Sequence, residues 1–197
     1  MVSSRLKKKF EGLVALRVSA LASVGLTPNA VTLLGLAASL VSAFCYLSWR
    51  TSRLMLPAAA ALILLSGLLD AVDGVLARAT GHVSAFGGFL DSVSDRYSDA
   101  VVLAAVTIAG LCDPAWGLAA VIGSMMVSYA RARAEAAGVG MAAVGLAERA
   151  ERMMFLAVVT FVAYFRLEVL GWGMALLAAL AHLTVLQRAL HFYRETR

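Results

Sequence analysis

Residues 70–95 read DAVDGVLARATGHVSAFGGFLDSVSD. Asp70 and Asp73 are three apart, so on a helix they share a face, which Gly74, Ala77 and Arg78 continue. Asp91 and Asp95 are four apart on a second helix, with Gly87 one turn earlier. A short turn around Gly81 joins the two helices, and the acidic pairs then face each other across an antiparallel helix pair. Apolar residues surround this stretch on both sides, and that places the acids at the end of bilayer-embedded helices. A single Asp at a membrane helix centre costs about 2.5–3.5 kcal/mol on insertion scales, less near the interface. Arg78 and Arg96 are too few to neutralise four carboxylates. Bound cations are the economical compensation. Oxygen ligands without His or Cys select a hard ion, Mg²⁺ or Mn²⁺. Asp70, Asp73, Asp91 and Asp95 together can hold two such ions with positions open for substrate oxygens, the layout of two-metal phosphoryl transfer. Helix packing combined with proton or ion translocation by intramembrane acids is the alternative these residues leave open.

The rest of the chain supports a membrane setting. Its 197 residues are 61% hydrophobic and 15% charged, against about 45–50% and about 25% in a soluble domain. Mean hydropathy is +0.85. Six spans of about 20 residues fit this length. Pro28–Trp49 is uncharged, and Leu54–Leu69 is uncharged and continues helically to about Arg78. The third helix runs from about Ser84 to Leu111. A fourth opens at Pro114, suited to a first helical turn, and runs through Ala130. The fifth covers about Leu146 to Tyr164 and the sixth about Val169 to Leu190. Gly138–Gly145 (GVGMAAVG) is the flexible connection between spans four and five. Before the first span, Leu6, Phe10, Leu13 and Val14 fall at helical spacing among Lys7, Lys8, Lys9 and Glu11, with Arg17 extending the basic face. This pattern predicts an amphipathic helix lying in the interface. It does not read as a cleaved leader, because no clean apolar core with a small-residue cleavage site follows the basic run. The fold expected is therefore all-α and integral to the membrane. Residues 1–24 form the amphipathic helix and link, and residues 25–197 a compact six-helix domain.

Charge tests that topology. With the N-terminus in the cytoplasm, all but three (Arg50, Arg53 and Arg166) of the 17 Lys and Arg residues fall on the cytoplasmic side, as the positive-inside rule requires. The four aspartates fall on that side too. The net charge of +5 is scattered between apolar spans, which argues against nucleic acid. Cys45 and Cys112 both lie in apolar stretches and form no disulfide framework or thiolate metal site.

Written with its spacing, the central stretch is D-x2-D-G-x2-A-R-x8-G-x3-D-x3-D. It resembles the CDP-alcohol phosphotransferases without a departure: Asp70, Asp73, Gly74, Ala77, Arg78, Gly87, Asp91 and Asp95 fill every defined position over 26 residues. The resemblance implies that Asp70, Asp73 and Asp91 bind a first metal and Asp70, Asp91 and Asp95 a second. It makes Asp95 the general base toward an acceptor hydroxyl, and Gly74 and Arg78 contacts to the CDP part of a CDP-lipid donor. Ser84 matches a hydroxyl position that touches the same ligand. Pro28-Asn29-Ala30-Val31-Thr32 resembles the family segment bordering the cytidine, so Asn29 and Thr32 join the donor site; Asn29 as a helix cap is the equal alternative. The family also implies a homodimer.

The acceptor is read from Ser128–Glu135 (SYARARAE) and Glu148–Arg152 (ERAER), which bring Arg131, Arg133, Arg149 and Arg152 to the cytoplasmic face. Arginine forks suit a phosphate dianion. Positive-inside anchoring, or ion pairing with Glu135, Glu148 and Glu151, would also account for them. The pattern R-A-R-A-E followed by E-R-x-E-R resembles the phosphatidylinositol-phosphate and archaetidylinositol-phosphate synthase branch, where some members carry Lys at the Arg131 position. That branch implies inositol phosphate as acceptor, CDP-diacylglycerol or CDP-archaeol as donor, CMP as leaving group, and a plasma-membrane location. A same-family synthase acting on glycerol 3-phosphate is the nearer alternative and an ion or proton transporter the distant one. Asp99, one turn past Asp95, is read as an arginine partner rather than a ligand. His82, a lone histidine in the turn, reads as solvated, His182 and His191 are nine apart and lack metal spacing, and Met125, Met126, Met153 and Met154 read as packing. An apolar flank open to lipid is expected beside the site, its residues unassigned.

Overall fold

A computed structural model of the chain describes residues 25–142 and 144–197. The segment expected to form the amphipathic helix lies outside them. Within them are six helices: α1 (Pro28–Leu47), α2 (Met55–Thr80), α3 (Ala85–Ile108), α4 (Pro114–Ala136), α5 (Arg149–Ala163) and α6 (Glu168–Glu195). Each begins within three residues of an expected helix, and α4 and α6 run on past their expected ends, to Ala136 and Glu195.

Local sequence sets the boundaries. Thr27 caps α1, its hydroxyl accepting from the Ala30 amide at 3.2 Å, with Pro28 in the first turn. α2 ends at Gly81, whose φ of 69° is left-handed and favours a residue without Cβ. Three residues later Ser84 caps α3 by accepting from the Gly87 amide at 3.0 Å. Asp113 accepts from the Ala115 amide at 2.8 Å and Pro114 opens α4. Glu148 and Glu151 form a capping box at the start of α5, the Glu148 amide donating to Glu151 at 3.0 Å.

The helices alternate in direction. α1 packs against both α2 and α3, and α6 against both α4 and α5. Pairs α2–α5 and α3–α4 join the two sets. The main core fills the end away from the aspartates: Tyr46, Leu56, Leu103, Val106, Leu156, Leu170 and Met174 are fully buried there. Tyr46 and Thr160 share a hydrogen bond, and Ser39 donates to Ser66 at 2.8 Å, tying α1 to α5 and α2. Close approach depends on glycine at two crossings. A Cβ on Gly117 would stand 2.1 Å from Thr107 Oγ1, and one on Gly173 would stand 2.4 Å from Val159 Cγ1.

The outer surface is apolar. Leu34, Phe44, Ile108, Phe161, Phe165 and Trp172 are all exposed, Trp172 to 78%. A soluble protein rarely shows such continuous apolar cover. α1, α2 and α6 are each long and apolar enough to cross a membrane. α3 and α4 carry the charged residues of the site at one end, and α5 has 15 residues.

Candidate active site

The α2–α3 hairpin and the start of α5 meet at one end of the bundle. Asp70, Asp91 and Asp95 each offer an oxygen, and the three atoms lie within 4.8 Å of one another. Asp91 Oδ1 is buried without a hydrogen-bond partner. An orphaned carboxylate oxygen inside an all-oxygen cluster suits a hard divalent cation, so these residues fit the metal that the sequence implies. Asp73 stands beside the trio on α2 and is 6% exposed. Its Oδ2 accepts from the Thr32 hydroxyl, which also lies 3.2 Å from the Pro28 carbonyl oxygen. Thr32 thus binds α1 to the acidic cluster.

On one side of the carboxylates is a cavity of about 300 Å³, lined by Asn29, Thr32, Asp73, Gly74, Arg78, Ser84, Gly87 and Asp91 among others. Every residue assigned to the donor from sequence lies here. Asn29 does not cap its helix, since Thr27 does. Its Oδ1 instead faces α3, 3.2 Å from where a Cβ on Gly87 would stand. A Cβ on Gly74 would sit 3.4 Å from Arg78 Nη1, so glycine leaves the arginine room along the helix. Ser84 has the capping role described above and also borders the cavity.

On the other side is a cavity of about 470 Å³, lined by Asp70, Asp91, Asp95, Arg96, Arg131, Arg149, Arg152 and Arg188 among others. Arg131 pairs with Glu135 at 2.9 Å on the exposed rim. Arg152 is 2% exposed; its Nη1 donates to the Ala147 carbonyl at 2.9 Å and its Nη2 lies 3.6 Å from Asp99 Oδ2. Arg133 is exposed on the last turn of α4 and does not line the cavity. Arg149 reaches further into the acids than an acceptor contact needs: Nη1 is 2.8 Å from Asp95 Oδ1 and 3.4 Å from Asp70 Oδ2, and Nε donates to Asp99 Oδ1 at 3.0 Å. Asp99 is therefore an arginine partner, as its position suggested.

Arg188 is the lining residue that sequence reading passed over. It is 3% exposed on α6. Its Nε donates to the Val144 carbonyl at 2.9 Å and its Nη1 to that of Val127, so its charge is met by backbone oxygens. The available signal was an arginine that follows a long uncharged run, Val169–Gln187, and precedes the basic end of the helix at Arg194. A third cavity, of about 250 Å³, runs from Asp70 and Arg149 between α2 and α5 past Ile63, Leu64, Gly67, Met153 and Met154. It supplies the apolar flank whose residues the sequence left unassigned.

An all-helical, multi-pass membrane protein with an acidic cluster between a polar and an arginine-rich cavity is built as a membrane-embedded transferase. The chain belongs to the CDP-alcohol phosphatidyltransferase family, whose sequence model matches residues 25–186. It is 40% identical over 168 residues to the archaetidylinositol phosphate synthase of Pyrococcus horikoshii, covering 85% of this chain and 84% of that protein. The crystal structure of Mycobacterium tuberculosis phosphatidylinositol phosphate synthase with manganese and citrate superposes with a TM-score of 0.79 at 32% identity, over 91% of this chain and 88% of that one. The same enzyme with CDP-DAG bound gives a TM-score of 0.79 at 30% identity, over 91% and 93%.

Proposed function

We propose that this protein transfers the lipid phosphoryl group of a CDP-lipid, CDP-diacylglycerol or CDP-archaeol, to inositol phosphate and releases CMP. The observation that carries this reading is the acidic cluster standing between the two polar cavities: Asp91 lines both, Asp73 the donor side, and Asp70 and Asp95 the acceptor side. A donor on one side and a phosphorylated acceptor on the other would meet at those carboxylates. The apolar cavity between α2 and α5 gives the donor's chains a path toward lipid.

Asn29, Thr32, Gly74, Arg78 and Ser84 hold the cytidine and phosphates of the donor. Asp70, Asp73, Asp91 and Asp95 would hold two divalent ions, Mg²⁺ or Mn²⁺, which supply charge screening for the pyrophosphate. Arg131, Arg149, Arg152 and Arg188 orient the acceptor by its phosphate. Asp95, at the edge of the acceptor cavity, takes the proton from the acceptor hydroxyl. The hydroxyl oxygen forms a bond to the lipid-side phosphorus, the bond from that phosphorus to the CMP oxygen breaks, and CMP departs through the donor cavity. Positioning and charge stabilisation account for most of the acceleration.

All six helices span the bilayer in this reading, and the aspartate end faces the cytoplasm at the plasma membrane, the orientation favoured by the distribution of Lys and Arg. The functional unit is a homodimer. A CMP-release assay on purified protein tests the reaction. Release should need CDP-lipid and inositol phosphate together and stop with EDTA. Faster release with glycerol 3-phosphate would replace the acceptor. Ion flux in sealed vesicles without CMP release would replace the class.

A further inference from the structure

Arg149 occupies an unusual position for a group that greets an acceptor phosphate. It is the first residue of α5, and its guanidinium is engaged on two edges. The Nε edge is fixed to Asp99 at 3.0 Å, and the Nη1 end touches Asp95 at 2.8 Å and Asp70 at 3.4 Å. Asp70 and Asp95 are two of the three carboxylates that can share a cation. Asp99 is 2% exposed and also faces Arg152, so the anchored edge sits in the packed interior. Partly buried carboxylates so close together repel one another, and a positive partner relieves that repulsion.

We propose that Arg149 is an internal counter-ion of the metal site, seated on Asp70 and Asp95 before a divalent cation binds. On binding it turns about its Asp99-held Nε toward the arginine-lined cavity. This rests on the metal reading given above. Asp99 lies outside the family pattern quoted earlier and acts as the positioning residue for the pivot. Cation and guanidinium compete for the same oxygens, so the cation binds more weakly than it would to the carboxylates alone. The displaced Nη1 gains a free donor for a phosphate. Cation and acceptor affinities are then linked, and each raises the other by the same factor.

The test is Mn²⁺ binding to detergent-solubilised protein without substrates, read from the electron paramagnetic resonance of free Mn²⁺. Arg149→Gln should tighten Mn²⁺ about tenfold, the gain expected if the guanidinium holds the competing position about nine-tenths of the time. Arg152→Gln removes a neighbouring charge whose ion pair is to Asp99 and which occupies none of the cluster's oxygens, and should tighten Mn²⁺ much less than Arg149→Gln does. Equal tightening in both variants, or none in Arg149→Gln, overturns the proposal. If Arg149→Gln does not fold, a structure of the wild type with Mn²⁺ decides. Nη1 beyond hydrogen-bond reach of Asp70 and Asp95, with Nε still on Asp99, supports the pivot, and Nη1 still on Asp95 overturns it. A wild type that binds no Mn²⁺ overturns the metal site and this inference with it.

Discussion

Thr32→Val separates two roles that one residue could have. Thr32 borders the donor cavity, yet its hydroxyl donates to Asp73 Oδ2 across the α1–α2 contact. Valine keeps the shape and removes the donor. Thr32 is 8% exposed and Asp73 6%, so water has little access to replace the bond. Hydrogen bonds to charged groups contribute about 1.5–3 kcal/mol, which corresponds to about 10- to 150-fold in a rate or binding constant. If the hydroxyl orients Asp73 for metal binding, that loss should fall on kcat and on the Mn²⁺ concentration needed for half-activation. The donor KM should move by less than about threefold. Thr32→Ser, which restores the hydroxyl, should recover most of the loss. The assay is initial-rate CMP release with donor and Mn²⁺ varied independently. A valine variant within twofold of wild type on both measures would refute the orienting role. A change confined to donor KM would make Thr32 a donor contact alone.

Three further outcomes test other parts of the molecule. Asp95→Asn should abolish transfer while the unfolding midpoint in detergent stays within a few degrees of wild type, since the amide is nearly isosteric; full activity would remove Asp95 from the proton-transfer role. Arg131→Ala should raise the inositol phosphate KM roughly tenfold, the loss of one charge-assisted hydrogen bond, with little change in donor KM; equal effects on both would argue for a structural arginine. Gly117→Ala places a Cβ 2.1 Å from Thr107 Oγ1, and overpacking of this kind costs roughly 1–3 kcal/mol. The melting temperature should fall by several degrees and recover in the double variant Gly117→Ala/Thr107→Ala; no recovery would place the strain elsewhere.

The helices are legible in the sequence because charges interrupt the apolar runs only at their ends, and Pro28, Gly81 and Pro114 mark the boundaries. The acidic pairs are legible because spacings of three and four fix a shared face whatever the tertiary packing. What the sequence could not give is contact between distant helices. Arg149 and Arg152 carry identical local signals, but one lies on the metal-site carboxylates and the other is packed beneath against Ala147. Arg188 looks like one more interfacial charge until α6 packs on α4 and its guanidinium meets the Val127 carbonyl. Arg133, two residues beyond Arg131, is turned out of the cavity by the helical period. The apolar cavity needs α2 and α5 side by side, a pairing that alternation along the chain leaves undetermined.

The tight reversal at Gly81 also has a bearing on how the chain is made. Asp70 and Asp95 are joined by one short stretch, so the hairpin carrying all four acids leaves the ribosome before the residues of α5 are synthesised. During that interval Arg149 does not exist, and the carboxylates must enter the membrane with water, protons or dissolved Mg²⁺ as their only compensation. Their place in the half of each helix nearer Gly81, which the proposed orientation sets toward the aqueous boundary, makes that stage tolerable. The same acids moved two turns toward the bilayer centre would have to wait, unpaired, for the fifth helix.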